Sequence, residues 1–425
     1  MTNYKKILNI ALPAMAENFL QMLMGMVDSY LVASLGLVAI SGVSVAGNII
    51  SIYQAIFIAL GAAVSSLISK SLGEGDRDNL AYHTSEAIKL TMLVSMFLGL
   101  LSLVFGRQIL AWLGTEPAVA NAGGLYLALI GGTILLLGLM TTLGSLIRAT
   151  SNPRMPMYIS FLSNLLNVFF SSIAIFIFHM GIVGVALGTI LARLVSVLIL
   201  WKELSLPLAP WSWRLDWDLL RLSLPAAGER LMMRAGDVVI IAIIVKFGTD
   251  AVAGNAIGEV LTQFNYMPGF GVATATVMLV AHAVGQADFQ TVRKLTKQTY
   301  WLSLGLMLPV ALLILALGQP LTHLYTKDSS AVTASLSVIL FSLLGVPMTA
   351  GTVIYTAVWQ GLGNAKLPFY ATTVGMWLIR IVAGYFLGVT LGLGLSGVWS
   401  ATLLDNAFRW IFLQIIYQRK MRKIT

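Results

Sequence analysis

The sequence predicts an all-α polytopic membrane protein, with twelve transmembrane helices in two pseudo-symmetric six-helix lobes that form parallel repeats. Three observations predict it: an apolar composition, apolar runs that recur from end to end, and an internal repeat at a nearly constant offset. Of 425 residues, 58% are hydrophobic and only 10% are charged. A soluble domain carries about 25% charged residues, so water is not the main solvent of this surface. Each apolar run reaches about 20 residues, enough to cross a ~30 Å hydrocarbon core as a helix. The alternating ten-residue strands of a membrane β-barrel are absent.

The runs place helices at residues 7–34, 38–69, 84–106, 119–147, 156–178, 182–201, 222–246, 250–281, 298–318, 331–358, 368–390 and 394–417. With Met1 in the cytoplasm, seventeen lysines and arginines fall in cytoplasmic segments, and only Arg107, Lys246 and Lys327 lie on the opposite side. That bias puts both termini in the cytoplasm of a multi-pass inner (plasma) membrane protein. The net charge of +9 therefore reports topology and gives no reason to expect a nucleic acid. The first run contains Glu17, Asn18 and Asp28 and is too long for a signal-peptide core, so it is expected to remain as helix one. The chain has no cysteine, which excludes disulfides and thiolate metal sites.

The repeat divides the chain into lobes at residues 1–201 and 222–425, joined by a linker at 202–221. At an offset of 212 residues, Leu12-Pro13-Ala14 falls on Leu224-Pro225-Ala226, Glu17 on Glu229, Gly36 on Gly248, Gly42 on Gly254 and Asp76 on Asp288. The same offset sets Pro156 on Pro368 and Tyr158 on Tyr370; one inserted residue later, Gly184 falls on Gly397 and Thr189 on Thr402. Six helices per half make the two repeats enter the membrane in the same direction. The linker carries Pro207, Pro210, Trp211, Trp213 and Trp217, which suits a strap at the cytoplasmic interface, where indole rings settle. Gly73-Glu74-Gly75-Asp76 and its repeat Gly285-Gln286-Ala287-Asp288 follow no strand, so they read as helix ends with acidic caps and not as phosphate loops.

Charges inside the membrane are the functional candidates, because each costs at least about 2.5–3.5 kcal/mol there. Glu17, Gln21 and Asp28 share one stripe of helix one. No lysine or arginine lies three or four residues from Asp28 on that helix. Helix five offers Asn164, Asn167 and Ser171, and helix six Thr189. Pro13 sits inside helix one, where a proline removes a hydrogen bond and permits a bend. Helix seven carries Glu229, Arg230, Arg234 and Asp237, spaced so that Arg234 is expected to pair with Asp237. Helix eight carries Asn255, Glu259 and Gln263, helix eleven Arg380, and helix twelve the pair Asp405 and Arg409. The substrate-cavity candidates are Glu17, Tyr126, Asn164, Glu229, Arg234, Asp237 and Glu259. Methionines 15, 22, 24, 26, 232 and 233 add an adaptable lining.

These residues resemble the multidrug and toxic compound extrusion (MATE) family. The resemblance rests on the Leu-Pro-Ala start of helices one and seven, Asp28, the Asn167–Ser171–Thr189 spacing, and the paired loops Asn-Pro-Arg-Met-Pro and Asn-Ala-Lys-Leu-Pro. It covers nearly the whole chain. It implies export of small organic molecules by alternating access in exchange for H⁺ or Na⁺, with no other cofactor, by a protein expected to be monomeric in the bilayer. Asp28 matches the first-lobe coupling acid of one prokaryotic branch. Gln21, Tyr126, Asn167 and Thr189 fall on that acid's polar neighbours, and Pro13 on the helix-one bend. The family's second carboxylate on helix five is Ser171 here, and helix ten contains no acid. Na⁺ favours several hard oxygens and local negative charge, so both losses favour H⁺. Two other readings compete. A lipid-linked-precursor flippase of the same superfold would use the arginines for a diphosphate, but there is no extra helix pair. A membrane enzyme would need a constellation that His83, His179, His282 and His323 do not form by spacing.

Overall fold

The computed structural model describes residues 3–150, 152–210 and 212–424; Trp211, assigned above to the strap, lies outside them. Helices α1 (Asn3–Ala33), α2 (Leu37–Glu74), α3 (Arg77–Trp112), α5 (Met155–Phe176) and α6 (Gly181–Glu203) fall on the expected first-lobe spans. Between α3 and α5, α4 is a broken span, Pro117–Gly132 and Ile134–Thr150, bent by 44°. The second half repeats the series as α7 (Trp217–Val245), α8 (Thr249–Gly285), α9 (Phe289–Ala316), α10 (Ser329–Leu344 and Val346–Gly361), α11 (Lys366–Thr390) and α12 (Gly394–Ile424). No strand occurs among the described residues.

Eight of these helices are long and apolar enough to cross a membrane, and ten when each bent pair counts as one span. The remaining two, α7 and α12, are as long but carry charge along their length. Asp218, Arg221, Glu229, Arg230, Arg234 and Asp237 lie on α7, and Asp405, Arg409 and a basic end lie on α12. The twelve expected spans are therefore all helical, and α7 and α12 hold most of the charges inside the second lobe's spans, with Glu259 on α8 and Arg380 on α11.

Contacts divide the chain into two units, Ala16–Leu220 and Met1–Met15 with Arg221–Thr425. The second unit thus includes the start of α1, which the repeat alone assigned to the first lobe. Ile7 and Ala11 are fully buried in a core with Val272, Ala275, Ile354 and Leu413. Gly271 permits this approach: a Cβ there would come within 2.8 Å of the Ala11 carbonyl oxygen. The first unit has its own core, where Phe57, Leu110, Leu127, Ile130, Ile134 and Val185 are almost inaccessible.

The repeat is visible atom by atom within each unit. A Cβ on Gly42 would lie 2.9 Å from the carbonyl oxygen of Val119; one on Gly254 would lie 2.5 Å from that of Ala331, at the same offset. Asp76 caps the start of α3 by accepting from the amides of Asp78 and Asn79, and Asp288 caps α9 by accepting from Thr291. The cap reading of these loops holds, with one asymmetry. The left-handed position is Gly75 in one half but Ala287, at φ 56°, in the other.

Two features were not expected from the sequence. The apolar runs at 119–147 and 331–358 predict continuous helices, yet both break, α4 at Thr133 and α10 at Gly345, positions that correspond in the repeat. Thr133 turns its hydroxyl onto the Leu129 carbonyl at 2.8 Å, which competes with the helical ladder. Pro347, just after Gly345, has no amide to continue it. The other feature is that α11 winds as a π-helix over Val374–Ile381 and again over Phe386–Thr390. A π-turn bonds i to i+5 and so takes up extra chain within one helix. The residue inserted into the second repeat between Tyr370 and Gly397 is accommodated there.

Candidate functional site

In the first unit, the residues singled out on α5 and α6 form one hydrogen-bonded set. Asn167 Nδ2 donates to Thr189 Oγ1 at 3.2 Å, Ser171 Oγ donates to Asn167 Oδ1 at 3.0 Å, and Thr189 Oγ1 donates to the Val185 carbonyl at 3.1 Å. All three side chains are buried. Gly188 makes the packing possible, because any side chain there would collide with Ser171. Asp28 from α1 faces this set, with Asn167, Tyr126 and Arg193 as the polar groups acting on it. Its Oδ1 is sealed from solvent and has no hydrogen-bond partner among the described residues. The same is true of Nη1 of Arg193.

Arg193 is the site residue the sequence reasoning missed. Spacing along α1 offers Asp28 no counter-charge, whereas Arg193 arrives from α6, one helical turn after Thr189. The available signal was its cost: an arginine within an apolar span is as expensive as an acid.

The stripe on α1 does not act as one unit. Glu17 forms an ion pair with Arg148 on α4, and Gln21 accepts from Gln54 on α2 at 3.4 Å. Asn164 donates to the Leu20 carbonyl at 2.8 Å and so ties α5 to α1. Of the stripe, only Asp28 joins the Asn167 set. Among the described residues, no three His, Cys, Asp or Glu side chains gather as a metal site would require.

The second unit carries a longer charged network. Asp237 pairs with Arg380 at 3.4 Å, not with Arg234 as helical spacing suggested. The physical reason is geometry between helices: α11 presents a guanidinium to α7, which an i,i+3 neighbour on one helix does not outcompete. Arg380 Nε also donates to Thr402 Oγ1 at 3.1 Å. Once the π-helical insertion is counted, Arg380 corresponds to Asn167 and Thr402 to Thr189, so the same donor–hydroxyl contact occurs in each half. Glu229 accepts from Thr372 at 3.0 Å, Arg409 lies beside Thr372 at 3.5 Å, and Arg409 pairs with Asp405 at 2.9 Å. Glu259 and Asn255 line a cavity of ≈ 80 Å³ with Ile241, Ile244, Val252 and Ala256, where Asn255 accepts from Trp399 at 2.9 Å. Arg234 is exposed.

The strap is fastened to α3 by a third cluster. Asp216 Oδ2 meets His83 Nδ1 at 2.6 Å, while its Oδ1 accepts from the amides of Asp218 and Leu219 and caps the start of α7. Lys89, paired with Glu86, donates to the carbonyls of Ser212 and Arg214 at 2.7 and 2.6 Å. Ser85 bonds both the amide and the carbonyl of Ala209. Burial pushes the Asp216 carboxyl up, but the hydrogen bonds from His83, Leu219 and Asp218 and the His83 charge outweigh it and hold it below the usual carboxylate range.

Comparison with known proteins adds the following. A family model described as MatE matches residues 13–173 and 225–386. The two matches start 212 residues apart and end 213 apart, which is the offset and the insertion read above. A probable multidrug resistance protein NorM from Thermotoga maritima is 27% identical over 418 residues, covering 95% of this chain and 90% of the relative. An uncharacterized transporter, YisQ, from Bacillus subtilis is 22% identical over 97% of this chain and 93% of its own length. Among solved structures, a MATE protein in the bent conformation superposes with a TM-score of 0.90 at 18% identity, covering 99% of this chain and 96% of that one. A MOP superfamily transporter from Pyrococcus furiosus, described as having a binding pocket of reverse polarity, gives 0.88 at 19% over the same shares.

Proposed function

Because this chain belongs to the MatE family, whose members are transporters and not enzymes, we propose that it is a proton-coupled exporter of small organic molecules that works by alternating access. The observation that carries this reading is Asp28, the acid that joins the Asn167 set. Asp28 faces Asn167 with one carboxylate oxygen unpartnered among the described residues, so it is free to take either a proton or a substrate group. The relatives named as probable multidrug resistance proteins support organic substrates. Proton coupling is supported by what surrounds Asp28: Ser171 in place of a second carboxylate, and Arg193 in the same cluster. Na⁺ would lose its water for few oxygens and meet a permanent cation.

In this scheme the proton entering from outside neutralises Asp28 and releases the substrate. The cytoplasm then takes the proton, and the restored carboxylate binds the next molecule. The protein would sit in the plasma membrane with both termini in the cytoplasm, as the distribution of lysine and arginine favours. The test is substrate-driven proton movement in proteoliposomes, with and without Na⁺. Asp28→Asn fixes the neutral state and is expected to insert normally and lose proton-coupled transport. Asn167→Ala and Thr189→Ala, each removing one hydrogen bond, are expected to reduce it less. A wild-type rate and unchanged pH profile in Asp28→Asn would make this carboxylate structural and move the coupling role to Glu229 or Glu259.

A further inference from the structure

We propose that Arg193 and Asp28 form a bipolar substrate site, in which Arg193 receives a carboxylate of the ligand and Asp28 its cationic or hydrogen-donating end. The proposal deepens the export reading and rests on it only for the role of the site in transport.

The polar groups of the cluster divide into those that are matched and those that are not. Asn167 donates from its amide nitrogen to Thr189 and also reaches the Asp28 carboxylate, its oxygen accepts from Ser171, and Thr189 uses its proton on the Val185 carbonyl. What remains is one atom of each sign: Oδ1 of Asp28 and Nη1 of Arg193, both sealed from solvent and neither bonded among the described residues. The two charges attract each other across the cluster, yet each of these atoms is buried without a hydrogen bond, which is costly for a charged group. A molecule that carries both signs satisfies both atoms in one binding event. A monocation satisfies Asp28 alone and brings a second positive charge toward Arg193.

The identity of the basic group sharpens the ligand class. A guanidinium stays charged at all working pH values and presents a planar fork that matches a carboxylate in two parallel hydrogen bonds. The pair of atoms is closed off in this conformation, so the ligand would enter when the helices around them separate during transport.

The test uses two fluorescent dyes that differ by one methyl ester: rhodamine 110, a zwitterion with a free carboxylate, and rhodamine 123, its cationic ester. Binding to the purified full-length protein in detergent is followed by fluorescence polarisation. A charge-assisted pair makes the wild type prefer rhodamine 110 by about tenfold or more. Arg193→Gln is expected to abolish that preference, Arg193→Lys to keep part of it, and Asp28→Asn to weaken both dyes. Equal wild-type affinities, no binding of rhodamine 110, or an unchanged preference in Arg193→Gln would each overturn the proposal. If the preference follows Arg193 but no proton-coupled transport is found in proteoliposomes, the export reading fails and the bipolar site stands.

Discussion

At the scale of single residues, the second unit separates two ion pairs that look alike in sequence. Asp405 and Arg409 are both buried, at 0% and 7% side-chain exposure, whereas the Asp237 side chain is 40% exposed. Breaking a buried pair leaves an uncompensated charge, so Asp405→Ala is expected to destabilise by about 3–5 kcal/mol. Replacing both Asp405 and Arg409 with apolar residues should cost much less. For Asp237 the expected coupling to Arg380 is only about 0.5–1 kcal/mol, reduced by solvent screening. Thermal melts in detergent, arranged as double-mutant cycles, check both statements. A coupling of Asp237 to Arg234 that exceeds its coupling to Arg380 would contradict the observed geometry. The sequence supplied every one of these charges but only some of the partners. Spacing on one helix identifies Asp405–Arg409, because i,i+4 neighbours meet whatever surrounds them. It misassigns Asp237 and omits Arg193, because those contacts are made between helices.

At the scale of elements, the twelve spans were legible because apolar length is dictated by the bilayer and not by neighbouring helices. The bends in α4 and α10 were less so, since Thr133 offers only a weak local signal and Pro347 lies where a proline is tolerated at the start of a new helix. The insertion in the second repeat was legible as a change of offset, and the structure supplies its physical form in the π-helical turns of α11. The sequence of the strap reads as a connector with interfacial tryptophans; its fastening to α3 through His83, Ser85 and Lys89 depends on tertiary contact. Asp216 is the joint of that fastening, since it holds His83 with one oxygen and the first turn of α7 with the other. Its lowered pKa means the unfolded strap binds a proton more readily than the folded one. The fastening is therefore complete above the usual carboxylate range and is lost as pH falls through the depressed value. Asp216→Asn at neutral pH removes the ionised acceptor and should increase amide exchange at Asp218, Leu219 and Ala209, as well as trypsin cleavage after Arg214. Unchanged exchange at Leu219 and unchanged cleavage would show that Lys89 and Ser85 hold the strap without it.

At the scale of the whole molecule, the repeat and the packing units do not share a boundary, and this makes the start of α1 informative. By repeat, residues from Ala11 onward belong with the first half. By packing, the chain up to Met15 belongs with Arg221–Thr425, where Ile7 and Ala11 have no exposed surface and Gly271 admits the backbone of α1. In a membrane, apolar side chains gain little by leaving lipid, so close contacts at small residues are what hold helices together. A fragment beginning in the strap, 206–425, therefore lacks part of its own core. Expressed alone, it is expected to aggregate or melt well below the intact protein. Co-expressed with 1–205 it should recover, because that fragment returns Ile7 and Ala11 to Val272 and Ala275. A third experiment separates this cause from a general need for the other half: co-expression with 16–205, which keeps the remaining first-half residues and omits the start of α1, should rescue less. Gly271→Leu in the intact chain should reproduce the loss by wedging the same contact. If 16–205 rescues as well as 1–205, and Gly271→Leu melts like the wild type, the start of α1 contributes nothing to the second unit, and the division of the chain would follow the repeat alone.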